Sequence, residues 1–379
     1  MKTMRNFILA PDSFKGTMSA VEVCAIMEAA ILKQIPDAQI KSLPMADGGE
    51  GMVDSLLRIC GGQRVCATVS GPYGAPIKTY YGLLPDGTAI IEMAVCSGLP
   101  LVGENKNPAL TSTIGVGELI LHAASSGVEH VILGIGGSAT NDCGMGMASA
   151  LGYRFLDKKG NEVEPVGQYM LDVERIVKPA TLPGMSVTAA CDVDNPLYGP
   201  QGAAYTFAPQ KGADTDMVVF LDTGLKHMAT IIERDLGVDV AHIPGAGAAG
   251  GLGAGIIAFL GGKMRSGIDL ALDVAAFDNL LSNADLVFTG EGRMDLQSVH
   301  GKVPIGVANR AKKKGVPVIA LCGSLGEGVE AVYDYGITAA FSAVRTPTDF
   351  TGIQATCHED MRLLVDAVVR MLRMDSYRL

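Results

Sequence analysis

The chain lacks most of the short signatures by which a sequence declares its chemistry. No G-x-x-x-x-G-K-[ST] phosphate loop occurs, since Gly262-Lys263 runs into Met264 and Gly301-Lys302 into Val303. The H-R-D loop of protein kinases and the G-x-S-x-G elbow of hydrolases are absent too. The eight cysteines include no C-x-x-C pair, and the six histidines do not fall at metal-ligand spacings. No run of about 18 apolar residues exists, so no transmembrane helix is expected. The short apolar run before Pro11 is too brief for a signal-peptide core. Positive charge is scarce: the net charge is −10 and the sequence pI about 5.1, without the basic excess of a nucleic-acid binder.

These absences predict a cytoplasmic protein with reduced, scattered thiols, whose partner is a small molecule and neither nucleic acid nor membrane. An acidic total still permits an anionic substrate, because a local Lys/Arg cluster can override the global sign. The oligomeric state is not legible. The chain is long enough, at 379 residues, for two domains, and its 48% apolar content is enough for a buried core.

Glycine is abundant, at 48 residues, and gathers at a few sites after apolar runs. Such clusters suit tight turns and close approach to a ligand. Asn6 to Ala10 reads as a buried strand, and Ser19-Ala20-Val21-Glu22 as a capping box opening a helix to Gln34. A strand over 39–43 and a helix over 50–60 complete a parallel α/β pattern. From Arg64 onward strands are predicted at 65–69, 79–84 and 88–93, with Pro85-Asp86-Gly87 as a hairpin turn. The middle continues with helices near 115–125, 214–236 and 250–260 and strands at 130–133 and 185–190. Beyond Leu270 the plain rhythm returns, with strands at 286–289, 316–322 and 337–342 and helices at 303–314 and 359–374. The predicted fold is therefore α/β in two domains. One is a discontinuous Rossmann-like parallel layer formed by both chain ends, residues 1–64 with 271–379. The other is an inserted mixed α/β domain, 65–270.

Four segments put polar groups at strand ends, the edge where open α/β sheets bind ligands. In Ala10–Thr17 an acid, a hydroxyl and an amine follow a strand, and Lys15 suits a carboxylate or phosphate. In Pro44–Gly51, Asp47 and Glu50 flank two glycines; Asp47 suits Mg²⁺, a substrate hydroxyl, or simply a helix cap. Gly134-x-Gly136-x-x-Ala139 follows a strand, is expected to open a helix, and matches the dinucleotide fingerprint, with Asp157 near the ribose-acid position. That leaves an NAD-dependent dehydrogenase of a small hydroxy acid open as an alternative. The same turn carries Ser138, Thr140, Asn141 and Asp142, a set suited to phosphate oxygens and a metal. The fourth segment, Asp285–Lys302, opens a buried strand into a loop crowded with acids and bases, which are costly to bury unless paired or liganded. Asp192 in Cys191–Pro196 is a fifth candidate, as a base, a metal ligand or part of an Asx turn.

Six stretches in order resemble the bacterial two-domain glycerate kinase family. They are APDSFKGTMSA (Ala10–Ala20), PMADGGEG (Pro44–Gly51), GIGGSATND (Gly134–Asp142), ACDVDNPLYGPQGAAYTFAPQKGA (Ala190–Ala213), PGAGAAGGLGAG (Pro244–Gly255) and DLVFTGEGRMDLQSVHGKVPIGVA (Asp285–Ala308). Cys143 departs from the pattern, where glycine is expected. The resemblance implies ATP and Mg²⁺ as cofactors, D-glycerate as substrate, and a phosphoglycerate product, with the 2-phosphate favoured. On that basis the expected proton acceptor is Asp192, then Asp47. Arg293 is the expected clamp on the substrate carboxylate, with Ser13, Asn195, Gln297 and Ser298 as further substrate contacts. Lys15 and Lys302 are expected on the transferring phosphoryl group. Gly136, Gly137, Ser138, Thr140 and Asn141, with Gly290 and Gly292, are expected around ATP. Asp295 or Glu291 is expected on Mg²⁺.

Overall fold

A computed structural model describes residues 4–46, 49, 51–299 and 301–373 of the chain. It divides into two compact units, Met1–Asp47 with Arg58–Cys60 and Ile268–Leu379, and Gly48–Leu57 with Gly61–Gly267. No helix among the described residues is long and apolar enough to cross a membrane.

The first unit is built on a five-stranded parallel sheet, ordered Ala339–Ser342, Val318–Cys322, Leu286–Gly290, Asn6–Pro11 and Gln39–Ser42. Its central strands are buried on both faces, so they read as continuous apolar runs without alternation. Helix Ala20–Gln34 starts at the predicted capping box: Ser19 Oγ accepts the Glu22 amide at 3.2 Å and Glu22 Oε2 accepts the Ser19 amide at 2.8 Å. Val23, Met27 and Ile31 recur every fourth residue and join one core with Met361, Val365 and Val369 of the last helix. That helix spans Phe350–Leu372, beginning nine residues before the sequence expectation of 359. Asp349 supplies the missing start signal, since its side chain accepts the Gly352 amide at 2.8 Å.

The second unit holds a mixed six-stranded sheet, ordered Lys263–Arg265, Ser186–Ala190, His130–Gly134, Thr88–Glu92, Pro76–Leu83 and Gln63–Ser70. The last two pairings are antiparallel and the others parallel. The expected hairpin forms at Pro85–Gly87, where Asp86 Oδ1 accepts the Thr88 amide at 2.9 Å. The predicted α/β class is therefore the observed one, a parallel sheet in the unit formed by both chain ends and a mixed sheet in the other.

The glycine turn corrects one expectation. It does not open directly into a helix: strand His130–Gly134 is followed by turns, and the next helix is Met145–Ala150. Against this turn packs helix Ala248–Leu260, whose first residues Ala249, Gly250 and Gly251 are left-handed. At Gly250, with φ +67°, an added Cβ would stand 2.1 Å from the Thr140 carbonyl oxygen. Gly250→Ala is accordingly expected to cost about 2–4 kcal/mol, through left-handed strain and displacement of the turn. Gly184→Ala, where an added methyl meets nothing within 4 Å, should stay within about 0.5 kcal/mol. Paired urea melts of the two variants measure the contrast.

Candidate active site

In the first unit, the parallel pairing of Asn6–Pro11 with Leu286–Gly290 ends both strands side by side, Pro11 opposite Gly290. The loops that follow them form one wall of a cavity of about 420 Å³. Asp12, Ser13, Lys15 and Thr17 come from the first loop, and Glu291, Gly292, Arg293 and Lys302 from the second. The two loops are tied by the Asp12 amide, which donates to the Gly290 carbonyl at 2.8 Å. Gly323 and Ser324 follow the neighbouring strand into the same cavity.

Two of the cations in this cavity are paired. Lys302 Nζ lies 3.1 Å from Glu291 Oε2, and Arg293 Nε 3.2 Å from Asp295 Oδ2. Glu291 is buried, and its Oε1 has no hydrogen-bond partner. Burial raises the Glu291 carboxyl above its usual range, while the Ser298 hydroxyl and the Lys302 ammonium pull it back. Asp12 is buried as well, and its Oδ1 accepts the Ser13 amide at 2.6 Å. Among the described residues, no group of three or more His, Cys, Asp and Glu is arranged to hold a metal alone. Mg²⁺ asks for less, about one or two carboxylates beside phosphate oxygens and water. Glu291, with a bare buried oxygen, and Asp12 in the same wall fit that demand.

Not every expected residue meets the cavity. Ser298 is fully buried, and its hydroxyl accepts the Asp295 amide at 3.1 Å, so it braces the loop. Asp295 Oδ1 accepts the Gln297 amide at 3.0 Å, and Gln297 is exposed. Asp47 and Glu50 lie outside the described residues.

The remaining candidates belong to the second unit. Asp192 is half-buried after strand Ser186–Ala190, and its Oδ1 accepts the Gly267 amide at 2.9 Å. Asn195 spends its side-chain amide on Gln201 O at 2.7 Å and Thr206 Oγ1 at 3.3 Å, which closes its own loop. In the glycine turn, Gly136 and Gly137 retain exposure, but Thr140 and Asn141 are sealed. Thr140 Oγ1 and both polar atoms of the Asn141 side chain are buried without a partner. Asp142 is fully buried and accepts four hydrogen bonds, from Thr113 N (2.8 Å), Thr113 Oγ1 (2.7 Å), Gly144 N (3.1 Å) and Gly146 N (3.2 Å). Burial raises its carboxyl and these donors oppose the rise. Cys143, the departure from the family pattern, sits at φ 55°, a conformation glycine adopts without strain.

Sequence reasoning missed Lys211. Its ammonium is buried and donates to Ser138 Oγ at 2.7 Å and Thr140 O at 2.6 Å, holding the turn from beneath. The available signal was that Lys211 is the only charged residue between Asp194 and Asp214. Asp157 also differs from the dinucleotide expectation. It caps the turn that follows strand Arg154–Leu156, accepting from the Lys159 and Asn161 amides.

The model of the Glycerate kinase family matches residues 7–373 of this sequence. The chain belongs to the glycerate kinase family. It is 50% identical over 346 residues to a glycerate kinase of Halalkalibacterium halodurans, covering 90% of this chain and 91% of that one. It is 46% identical over 342 residues to the glycerate 2-kinase of Escherichia coli K12, covering 89% and 90%. A solved Salmonella typhimurium LT2 protein described as a glycerate kinase 2 superposes with a TM-score of 0.88 at 42% identity, covering 98% of this chain and 99% of that chain. Family membership and the form of the glycine turn together remove the dehydrogenase alternative.

Burial lowers the Lys211 ammonium to about 7. The unfolded chain therefore holds the extra proton between about pH 7 and the ordinary lysine value near 10.4, and stability contributed at this site rises with pH across that window. The penalty is complete below about pH 7. The stability difference between Lys211→Met and the parent should thus change with pH, by up to about 1.4 kcal/mol per pH unit. Denaturation at pH 6, 8 and 9 checks this, and a pH-independent difference contradicts it.

Proposed function

We propose that the chain is a glycerate kinase that transfers the γ-phosphate of ATP to D-glycerate, giving 2-phosphoglycerate. The observation that carries this reading is a single cavity, in a chain of this family, where Lys15, Arg293 and Lys302 meet Asp12 and Glu291 at parallel strand ends. The 2-position is favoured by the Escherichia coli relative, which is a glycerate 2-kinase. The absence of any disulfide among the eight cysteines supports a reducing, cytoplasmic setting.

Phosphoryl transfer is mainly positioning and neutralisation of charge. Arg293 is 68% exposed at its side chain, and its fork remains open to a bidentate carboxylate on the side away from Asp295. Lys15 and Lys302 neutralise the transferring group, and the backbone at Gly292, in the cavity lining, lets it approach. Glu291, with Asp12 or Asp295, would hold Mg²⁺, which would supply charge neutralisation on the phosphates. Asp192 is the proposed acceptor of the substrate hydroxyl proton. The lobe division expected from the sequence, 1–64 with 271–379 against 65–270, is proposed for the enzyme and is supported by the two compact units.

A coupled assay should detect ADP release that requires glycerate, and phosphorus NMR should place the phosphate on the 2-hydroxyl. ADP release unaffected by glycerate would end the kinase reading. Asp192→Asn is expected to lower kcat by about 10²-fold or more, since general base catalysis contributes about 10²–10⁴. An unchanged kcat moves the role to Asp47.

A further inference from the structure

The cavity of the first unit is larger and less polar than its proposed acceptor needs. Its volume is about 420 Å³, within the range of about 300–1,000 Å³ that holds drug-sized ligands. A three-carbon acid fills a small part of that space. The cavity also has an apolar lining of Phe14, Met18, Val344, Phe350, Ile353 and Cys357.

That wall is built from three sources. Phe14 and Met18 are buried and pair across the loop, Phe14 N donating to Met18 O at 2.7 Å. Val344 follows strand Ala339–Ser342 and is anchored by its amide on the Gly323 carbonyl, at 3.2 Å. Phe350, Ile353 and Cys357 stand at i, i+3 and i+7, on one face of the last helix. The face is fixed against the Ser13–Thr17 loop. Gln354 Nε2 donates to Gly16 O at 2.8 Å, and the Phe350 ring lies so close to Gly16 that an added Cβ would stand 2.9 Å from Cζ. The one acid behind this face, Asp360, is already held by Arg345 and by Thr356 Oγ1.

A flat or aliphatic wall joined to a cationic end is the complement of a molecule with a hydrophobic ring at one end and phosphates at the other. We propose that the base and ribose of a nucleoside triphosphate lie against Phe14, Val344, Phe350 and Ile353, with the phosphates toward Lys15 and Lys302. This rests on the kinase reading, and it assigns the donor to the first unit, where the sequence had also pointed to the Gly136–Asn141 turn.

The chain contains no tryptophan, so Phe350→Trp creates a single emission reporter at a half-exposed position. ATP and ADP should quench it saturably, while glycerate and inorganic tripolyphosphate at the same concentration should not. A response to tripolyphosphate equal to that of ATP, a response to glycerate, or no response to ATP in a variant that melts like the parent would overturn the proposal. Ile353→Ala supplies a second readout: KM for ATP should rise about tenfold, as for lost apolar contact in a pocket, and KM for glycerate should move less than about twofold. The reverse split places the acceptor on this wall and overturns the assignment. Nucleotide quenching is read without turnover, so a chain that quenches with ATP but releases no ADP with glycerate fails the kinase reading alone.

Discussion

Everything in the first unit depends on the pairing of Asn6–Pro11 with Leu286–Gly290, strands from opposite ends of the chain. Side chains reinforce the backbone ladder at both ends. Asp285 Oδ2 accepts the Arg5 and Asn6 amides at 2.9 and 3.0 Å, and Thr289 Oγ1 donates to Ala10 O at 2.8 Å. Closing so long a loop costs entropy that only the completed sheet repays. Because the pairing is parallel and in register, both strands end at the same edge. Asp12 and Glu291 are each the residue directly after that edge, so they enter one cavity without further instruction.

Much of this was legible in the sequence because it is local. Apolar runs marked the central strands, and a serine three residues before a glutamate marked the first helix. The late-starting expectation for the last helix failed because Gly352 and Thr351 look like loop residues, and only the Asp349 cap overrides them. The Gly134–Ala139 turn failed differently. Its spacing fits a strand-to-helix junction, but the Asp142 carboxylate draws four donors inward and defers the helix to Met145. Lys211 was illegible for a third reason: its partners Ser138 and Thr140 lie about 70 positions away. Of the fourth segment, Glu291, Arg293 and Lys302 stood out by charge and do line the cavity, whereas Ser298, expected on the substrate, is buried.

The second unit carries polar groups where an apolar core would be more stable. A buried ammonium, a buried carboxylate and three unpartnered polar atoms stand within one turn. Each unsatisfied buried group costs about 1–3 kcal/mol. The surrounding glycine-rich backbone, with Gly250 against the Thr140 carbonyl, allows two turns to approach closely enough to fix these groups in place. Such an arrangement gains positional definition at the expense of stability. That is the balance seen where polar groups are held for a ligand more than for the fold.

In the first unit the cations are not idle before an anion arrives. Lys302 is engaged by Glu291 and Arg293 by Asp295, at 3.1 and 3.2 Å. An entering phosphate must compete with Glu291 for Lys302, whereas the Arg293 fork away from Asp295 stays open. In a chain of net charge −10, long-range attraction does not help, and screening at physiological salt leaves only contacts within about 8 Å. Charge alone therefore gives a weak and unselective grip. On the proposed assignment, contact with the apolar lining is what would let a large phosphate donor bind where free phosphate does not. A small acceptor lacks that surface and, on the same assignment, would rely on the bidentate fork of Arg293. The division of labour between the two ends of the cavity thus follows from the sign of the whole chain as much as from the residues that line it.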